Sequence, residues 1–279
     1  MKNQRLLFSN ECKIRIVRDY FREMMLIDTH SHIYQPQFNE DRKEMMNRAA
    51  QAGVEKIFLP NIDLESMPLM HQLCDDFPEV CYPMMGLHPC DVKSGFEEVL
   101  AIMRSKFSDR KYIAVGEIGI DLYWDKTTLD MQIEAFKVQL GWAKELKLPI
   151  VIHARESFDE IFSVLDKEND ETLRGVFHCF TGNLEQAQKV MAYGNFMMGI
   201  GGVLTYEKSG LDKVVQEIPM EYLVLETDSP YLTPKPFRGK RNESSYVKYV
   251  SEKLAECKGL SVDEIGRITS SNALKMFAI

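Results

Sequence analysis

The stretch Leu148-Pro-Ile-Val-Ile-His-Ala-Arg155 decides how the rest of the chain is read. Its β-branched run, opened by Pro149, is too short for a helix and carries no alternating polar residues. Such a run suits a parallel strand buried on both faces. It ends on His153 and, two residues later, Arg155. Residues two apart in extended chain point to the same side, so both side chains are expected to face one place at the strand's C-terminal end.

Similar runs recur on either side. Strands are predicted over 25–28, 56–60, 81–86, 112–116, 149–152, 175–177, 195–199 and 222–225. Helical patterns lie between them, as over 130–147, where Phe136, Leu140, Ala143 and Leu146 recur at helical spacing. Asn183 three before Gln186, and Ser261 three before Glu264, read as helix N-caps. Gly194 reads as a helix stop. About eight β/α units with no Pro- or Ser-rich linker predict an α/β fold: one TIM-like (β/α)8 barrel over residues 24–279, not two domains. Its end, 242–279, reads as two C-terminal helices separated by Lys258-Gly259-Leu260. Residues 1–23 form an N-terminal extension outside the repeat, with Ile14, Val17 and Phe21 on one face of an expected helix.

The chain's 279 residues carry a formal net charge of -8, which argues against gripping nucleic acid through a broad basic surface. A phosphate-ester substrate stays open, because bound cations dominate the field at a site. The six cysteines show no C-x-x-C spacing and read as reduced thiols of a cytoplasmic protein. No apolar run is long enough to span a bilayer, so no membrane association is expected, and no obligate protein partner is evident.

Chemistry gathers at the predicted strand ends. His30 and His32 follow the first strand, Glu117 the fourth (in Ala114-Val-Gly-Glu-Ile-Gly119), and His153 and His178 end the fifth and sixth. Asp228 follows the eighth, in Val224-Leu-Glu-Thr-Asp-Ser-Pro230. Barrel active sites are built on that face. Four imidazoles and two carboxylates exceed the needs of one tetrahedral zinc, which makes two divalent ions (Mg²⁺, Mn²⁺ or Zn²⁺) the natural count. Glu117, with two oxygens, is placed to bridge them, and Asp228 to act as ligand and general base together. His88 is expected to contact substrate, and His71 to be structural. Arg155 and the turn Arg238-Gly-Lys-Arg241 are candidates for holding an anion. Tyr123 and Trp124 are placed to stack on a base or sugar, or to pack as a lid. The glycines of Gly199-Ile-Gly-Gly202 lack the ending of a phosphate loop and read as a tight turn after the seventh strand.

These residues fall in signatures that resemble the TatD-related deoxyribonucleases of the amidohydrolase superfamily: Ile27-Asp-Thr-His-Ser-His32, Gly86-Leu-His-Pro89, Val115-Gly-Glu-Ile-Gly-Ile-Asp121, Pro149 to Arg155, His178-Cys-Phe180, Glu226 to Leu232, and Arg238 to Asn242. They run in the family's order from residue 25 to the C-terminus. The resemblance implies a TIM-like barrel with two divalent ions. It places His30, His32, Glu117 and Asp228 around one ion and Glu117, His153 and His178 around the other. It also implies phosphodiester hydrolysis on DNA ends, with DNA as a transiently bound substrate. Ile33 and Tyr34 after the histidine pair, and Ser244, depart from the family's frequent residues. Tyr34 therefore bears on substrate preference.

Two other readings compete with a metal-dependent exonuclease. One is an esterase, lactonase or phosphotriesterase on the same barrel. Relatives of that kind often bridge their ions with a carboxylated lysine after the fourth strand, where Glu117 stands here. The other is a metal-binding interaction protein without catalysis, against which the full ligand set and Arg155 speak.

Overall fold

Strands and helices alternate along the chain in the computed structural model, which describes residues 25–279. The extension and its expected helical face at Ile14, Val17 and Phe21 lie outside the described residues. The strands are β1 (Leu26–Asp28), β2 (Val54–Pro60), β3 (Cys81–Met84), β4 (Val115–Asp121), β5 (Ile150–Arg155), β6 (Gly175–Phe177), β7 (Phe196–Ile200) and β8 (Leu223–Leu225). Between them run α1 (Arg42–Gln51), α2 (Ser66–Asp76), α3 (Phe96–Ser105), α4 (Leu129–Leu146), α5 (Phe158–Glu168), α6 (Leu184–Ala192) and α7 (Leu211–Glu217). After β8 come α8 (Val247–Lys258) and α9 (Val262–Phe277). Both expected capping boxes form, at Asn183/Gln186 and Ser261/Glu264. Gly259, in the left-handed conformation at φ 64°, ends α8 as the sequence suggests.

All strand pairs are parallel, in the orders β1-β2-β3 and β4-β5-β6-β7-β8. Backbone bonds stitch the two groups at both seams. Met85 bridges to Val115, and Ser31 to Ser229. At the second seam the Thr29 N–H donates to the Leu225 carbonyl at 3.0 Å, and the Asp228 N–H to the His30 carbonyl at 2.9 Å. The buried Asp28 carboxylate reinforces this closure by accepting from the Thr227 N–H (2.8 Å) and hydroxyl (2.7 Å).

Side chains alternate across the strands as extended geometry requires. Leu26, Ile57, Leu59, Ile150, Ile152, Phe177, Leu223 and Leu225 pack outward with helix residues such as Phe136 and Leu165. Ile27, Phe58, Met84, Val151, Val176 and Val224 form a separate inner cluster. The end of α9 closes that cluster with Ala273, Met276 and Phe277, and Phe277 meets Phe58 edge-on at 4.8 Å. Two positions beyond Val151, Val176 and Val224 stand His153, His178 and Glu226. An apolar floor thus passes directly into a polar layer at the C-terminal mouth.

Seven of the eight strands lie where predicted, with β5 running on to Arg155, but β4 begins at Val115, three residues later than expected, and continues to Asp121. Glu117 lies inside β4, and Asp121 ends it; His153 lies inside β5. Acidic and basic groups read as strand terminators in sequence, yet here they continue a buried strand because they neutralise one another. Among the described residues no helix is long and apolar enough to cross a membrane.

If the inner cluster depends on α9, Phe277→Ala should lower the free energy of unfolding by about 3–5 kcal/mol, the usual cost of removing a buried phenyl ring. Urea denaturation checks this; a loss below about 1 kcal/mol would contradict the floor assigned to Phe277.

Candidate metal centre

Glu117 sits where β4 carries one residue more than its partner. Val115 pairs with Ile150, but Ile118 pairs with Ile152. A bulge of this kind re-aims a side chain. Here it sets the Glu117 carboxylate, 2% exposed, in the barrel mouth. Oε2 faces His30 Nε2 at 3.1 Å and His32 Nε2 at 3.5 Å. Oε1 faces His153 Nδ1 at 2.7 Å, His178 Nε2 at 3.0 Å and His88 Nε2 at 3.4 Å. Asp228 closes the first side, its Oδ1 lying 3.9 Å from His30 Nε2 and 3.7 Å from His32 Nε2. One carboxylate therefore presents each of its oxygens to a different set of imidazoles.

Neighbouring groups fix how each ring is turned. The Tyr34 hydroxyl donates to the Pro60 carbonyl at 2.6 Å and so accepts from His32 Nδ1 at 2.9 Å, leaving His32 Nε2 aimed at Glu117. Asp121 Oδ2 holds His153 Nε2 at 2.8 Å, and Glu226 Oε1 holds His178 Nδ1 at 3.3 Å. His30 stacks on His178 with 3.7 Å between ring centroids, and its buried Nδ1 has no partner. His88 differs from these. Its Nδ1 accepts from the Cys90 N–H, so its proton sits on Nε2, at the cleft's edge and 3.4 Å from Glu117 Oε1. Burial also lowers the His88 pKa, which keeps the ring neutral. That arrangement fits a hydrogen bond to substrate better than a metal ligand.

The electrostatics call for cations. Burial would raise the Glu117 carboxyl, but His178, His88 and His30 and the bond from His153 outweigh it and hold it well below the carboxylate range. Burial pushes Asp228 up to about 6, against the pull of His178 and His32. His30 is driven well below the usual histidine range by burial and by its neighbour His178. Burial would lower His153 and His178, but the carboxylates of Asp121, Glu117 and Glu226 outweigh it and raise both rings above the usual histidine range. A buried cluster of this kind attracts positive charge, and a bound cation can take the place of the ring protons. His30, His32 and Glu117 are close enough to share one ion, and Glu117 and His153 to share another, and the donor set fits the metal that the sequence implies.

The remaining expectations fare differently. Arg155, like Trp124, Tyr231 and Leu232, lines a cleft of about 580 Å³ over these residues. Arg238 is not among the lining residues; its guanidinium lies over the Tyr206 ring at 4.4 Å. Arg241 is tied to Asp41 by bonds of 2.7 and 2.8 Å and fastens the turn to α1's start. His71 bonds the Tyr112 hydroxyl, as a structural residue would. The glycine run is not only a turn: Gly199 lies within β7, where any Cβ would fall on Glu226 Oε2, and one at Gly202 would fall on the Leu232 carbonyl. Tyr34 is buried and orients His32, so it does not face the cleft. Sequence reasoning missed Asp121 and Glu226 as functional groups; each is an acid at the end of an apolar strand, the same signal that marks Glu117.

A barrel of parallel strands with histidines and carboxylates gathered at their C-terminal mouth defines a metal-dependent hydrolase. The family model described as TatD related DNase matches residues 27–278, and the chain belongs to that family. It is 41% identical over 256 residues to YabD of Bacillus subtilis, described as an uncharacterized metal-dependent hydrolase, covering 91% of this chain and 100% of the relative. A Pectobacterium parmentieri relative described as a 3'-5' ssDNA/RNA exonuclease is 30% identical over 260 residues, covering 91% of this chain and all of the relative. The crystal structure of the Escherichia coli TatD homologue YjjV superposes with a TM-score of 0.85 at 32% identity, covering 91% of this chain and 98% of that one.

Asp121 has two duties. Oδ2 holds His153, while Oδ1 accepts from the N–H groups of Tyr123 (2.9 Å) and Trp124 (3.1 Å). Asn offers one acceptor for both, so Asp121→Asn should weaken metal binding roughly 10- to 100-fold, the usual effect of losing such a partner. Chelator competition measures this; unchanged affinity would remove Asp121 from the metal site.

Proposed function

We propose that this chain is a nuclease that removes nucleotides from the end of single-stranded DNA, with two divalent ions held on either side of Glu117. The observation that carries the reading is the division of Glu117, Oε2 toward His30 and His32 and Oε1 toward His153 and His178. Asp228 completes the first set. An imidazole-rich set favours zinc or manganese over magnesium. Bound there, the ions would polarise the phosphodiester and lower the pKa of water.

The chain's own groups supply the rest. Asp228, its side chain 14% exposed, is the ligand carboxylate open to the cleft, and it takes the proton of the attacking water. His88 offers its Nε2 proton to a phosphate oxygen. The Arg155 guanidinium has no carboxylate partner among the described residues, and its N–H fork is left to hold a second phosphate oxygen. The cleft, about 580 Å³, is of the size that takes a small ligand or a nucleotide of a strand. The relative described as a 3'-5' ssDNA/RNA exonuclease supports the 3' end as the point of attack.

End-labelled single-stranded DNA, incubated with Mn²⁺ or Zn²⁺, should shorten stepwise from its 3' end, with duplex DNA cut more slowly. RNA, lactones and phosphotriesters serve as competing substrates. Asp228→Asn should reduce kcat by roughly 10²- to 10⁴-fold, the range of general acid–base catalysis. Cleavage of a lactone or phosphotriester with intact DNA would overturn the nuclease reading, and full activity in Asp228→Asn would remove its role as base.

A further inference from the structure

Trp124 stands out at the cleft mouth. The loop after β4 carries Tyr123, 50% exposed, and Trp124, 70% exposed, and Trp124 lines the cleft. A large apolar ring left in water is uninformative when the loop is loose, but this loop is fastened. Asp121 Oδ1 caps it through the N–H groups of Tyr123 and Trp124. Gln132 of α4 clamps its root, accepting from the Asp121 N–H at 2.8 Å and donating to the Asp121 carbonyl at 3.1 Å. Arg155 covers the Tyr123 ring at 3.7 Å, and Tyr123 meets Trp124 at right angles with 5.0 Å between centroids. The same guanidinium lies 5.6 Å from the Trp124 ring centre, yet the indole remains 70% exposed. The same Asp121 carboxylate holds His153, so the platform and the metal centre are set by one side chain.

We infer that Trp124 is a stacking platform for an unpaired nucleobase of the strand whose phosphodiester lies beneath it. The inference rests on the nuclease reading and adds to it the side chain on which an unpaired base would lie. An indole and a neighbouring guanidinium accept any base, because every base offers a π-face. A paired base is already stacked within its duplex, so duplex ends bind only after unpairing. Trp124 thus selects for strandedness without reading sequence.

The test uses the full chain carrying Asp228→Asn, with Zn²⁺, titrated with a short thymidine oligonucleotide, the same strand with abasic sites, and a blunt duplex, each end-labelled with a fluorophore. Affinity is read from the fluorescence anisotropy of the labelled strand in every variant; the chain has two tryptophans, and Trp142 is buried, so where Trp124 is present exposed-indole emission also reports on it. The intact strand should quench and blue-shift the emission. Adding Trp124→Ala should weaken its binding roughly 5- to 100-fold, the loss expected for one stacked base. Trp124→Phe should recover most of that affinity, and the abasic strand should bind alike with or without Trp124. Equal affinity of the intact strand for the Trp124→Ala chain, or of abasic and intact strands for the Trp124 chain, would overturn the platform. Strand binding through Trp124 without cleavage by the unsubstituted chain would overturn the nuclease reading and leave the platform standing. Failure of every strand to bind would overturn both.

Discussion

A carboxylate buried among five imidazoles is the constraint on which this structure turns. Glu117 is withdrawn from water and would cost several kcal/mol there if left unpaired. The bulge in β4 places it, and the rings of His30, His32, His88, His153 and His178 surround it. Each outer partner then makes sense as a way of turning a ring. Tyr34, Asp121 and Glu226 hold the far nitrogens and leave the near ones facing carboxylate oxygens. Without positive charge between them, the arrangement would oppose itself.

The barrel supplies the rigidity this demands. Its inner face is apolar from Ile27 to Val224 and closed below by Met276 and Phe277. Two residues further up, the same faces carry His153, His178 and Glu226. Strand geometry alone therefore sets the height of the site above its floor. The loop beyond β4 then carries that order outward, since Asp121 grips His153 with one oxygen and the Tyr123–Trp124 backbone with the other. His153 at the floor of the cleft and the aromatic loop at its mouth share a single support.

Much of this was legible in the chain. The strand-end positions of His30, His32, Glu117, His153, His178 and Asp228 follow from apolar runs that end in ionisable residues, and the structure brings all six together. The true lengths of β4 and β5 were not legible, because acids inside a buried strand are tolerable only when distant histidines meet them. Gly199 read as a turn residue, since nothing local shows that Glu226, far along the chain, needs its missing Cβ. Tyr34 stands out as a departure from the family's frequent residues, bearing on substrate preference, yet its side chain reaches back to His32 and the Pro60 carbonyl. Arg238 and Arg241 are indistinguishable in composition, and only the fold shows which one Asp41 captures.

The central claim is that Glu117 binds two cations with one carboxylate. Metal content per chain, measured by mass spectrometry after dialysis against excess Mn²⁺ or Zn²⁺ for the unsubstituted protein and for Glu117→Gln, addresses it most directly. The account expects two ions per chain in the first, and at most one in the second, with the fold unchanged by circular dichroism. A single ion in the unsubstituted protein, or two retained in Glu117→Gln, would contradict it.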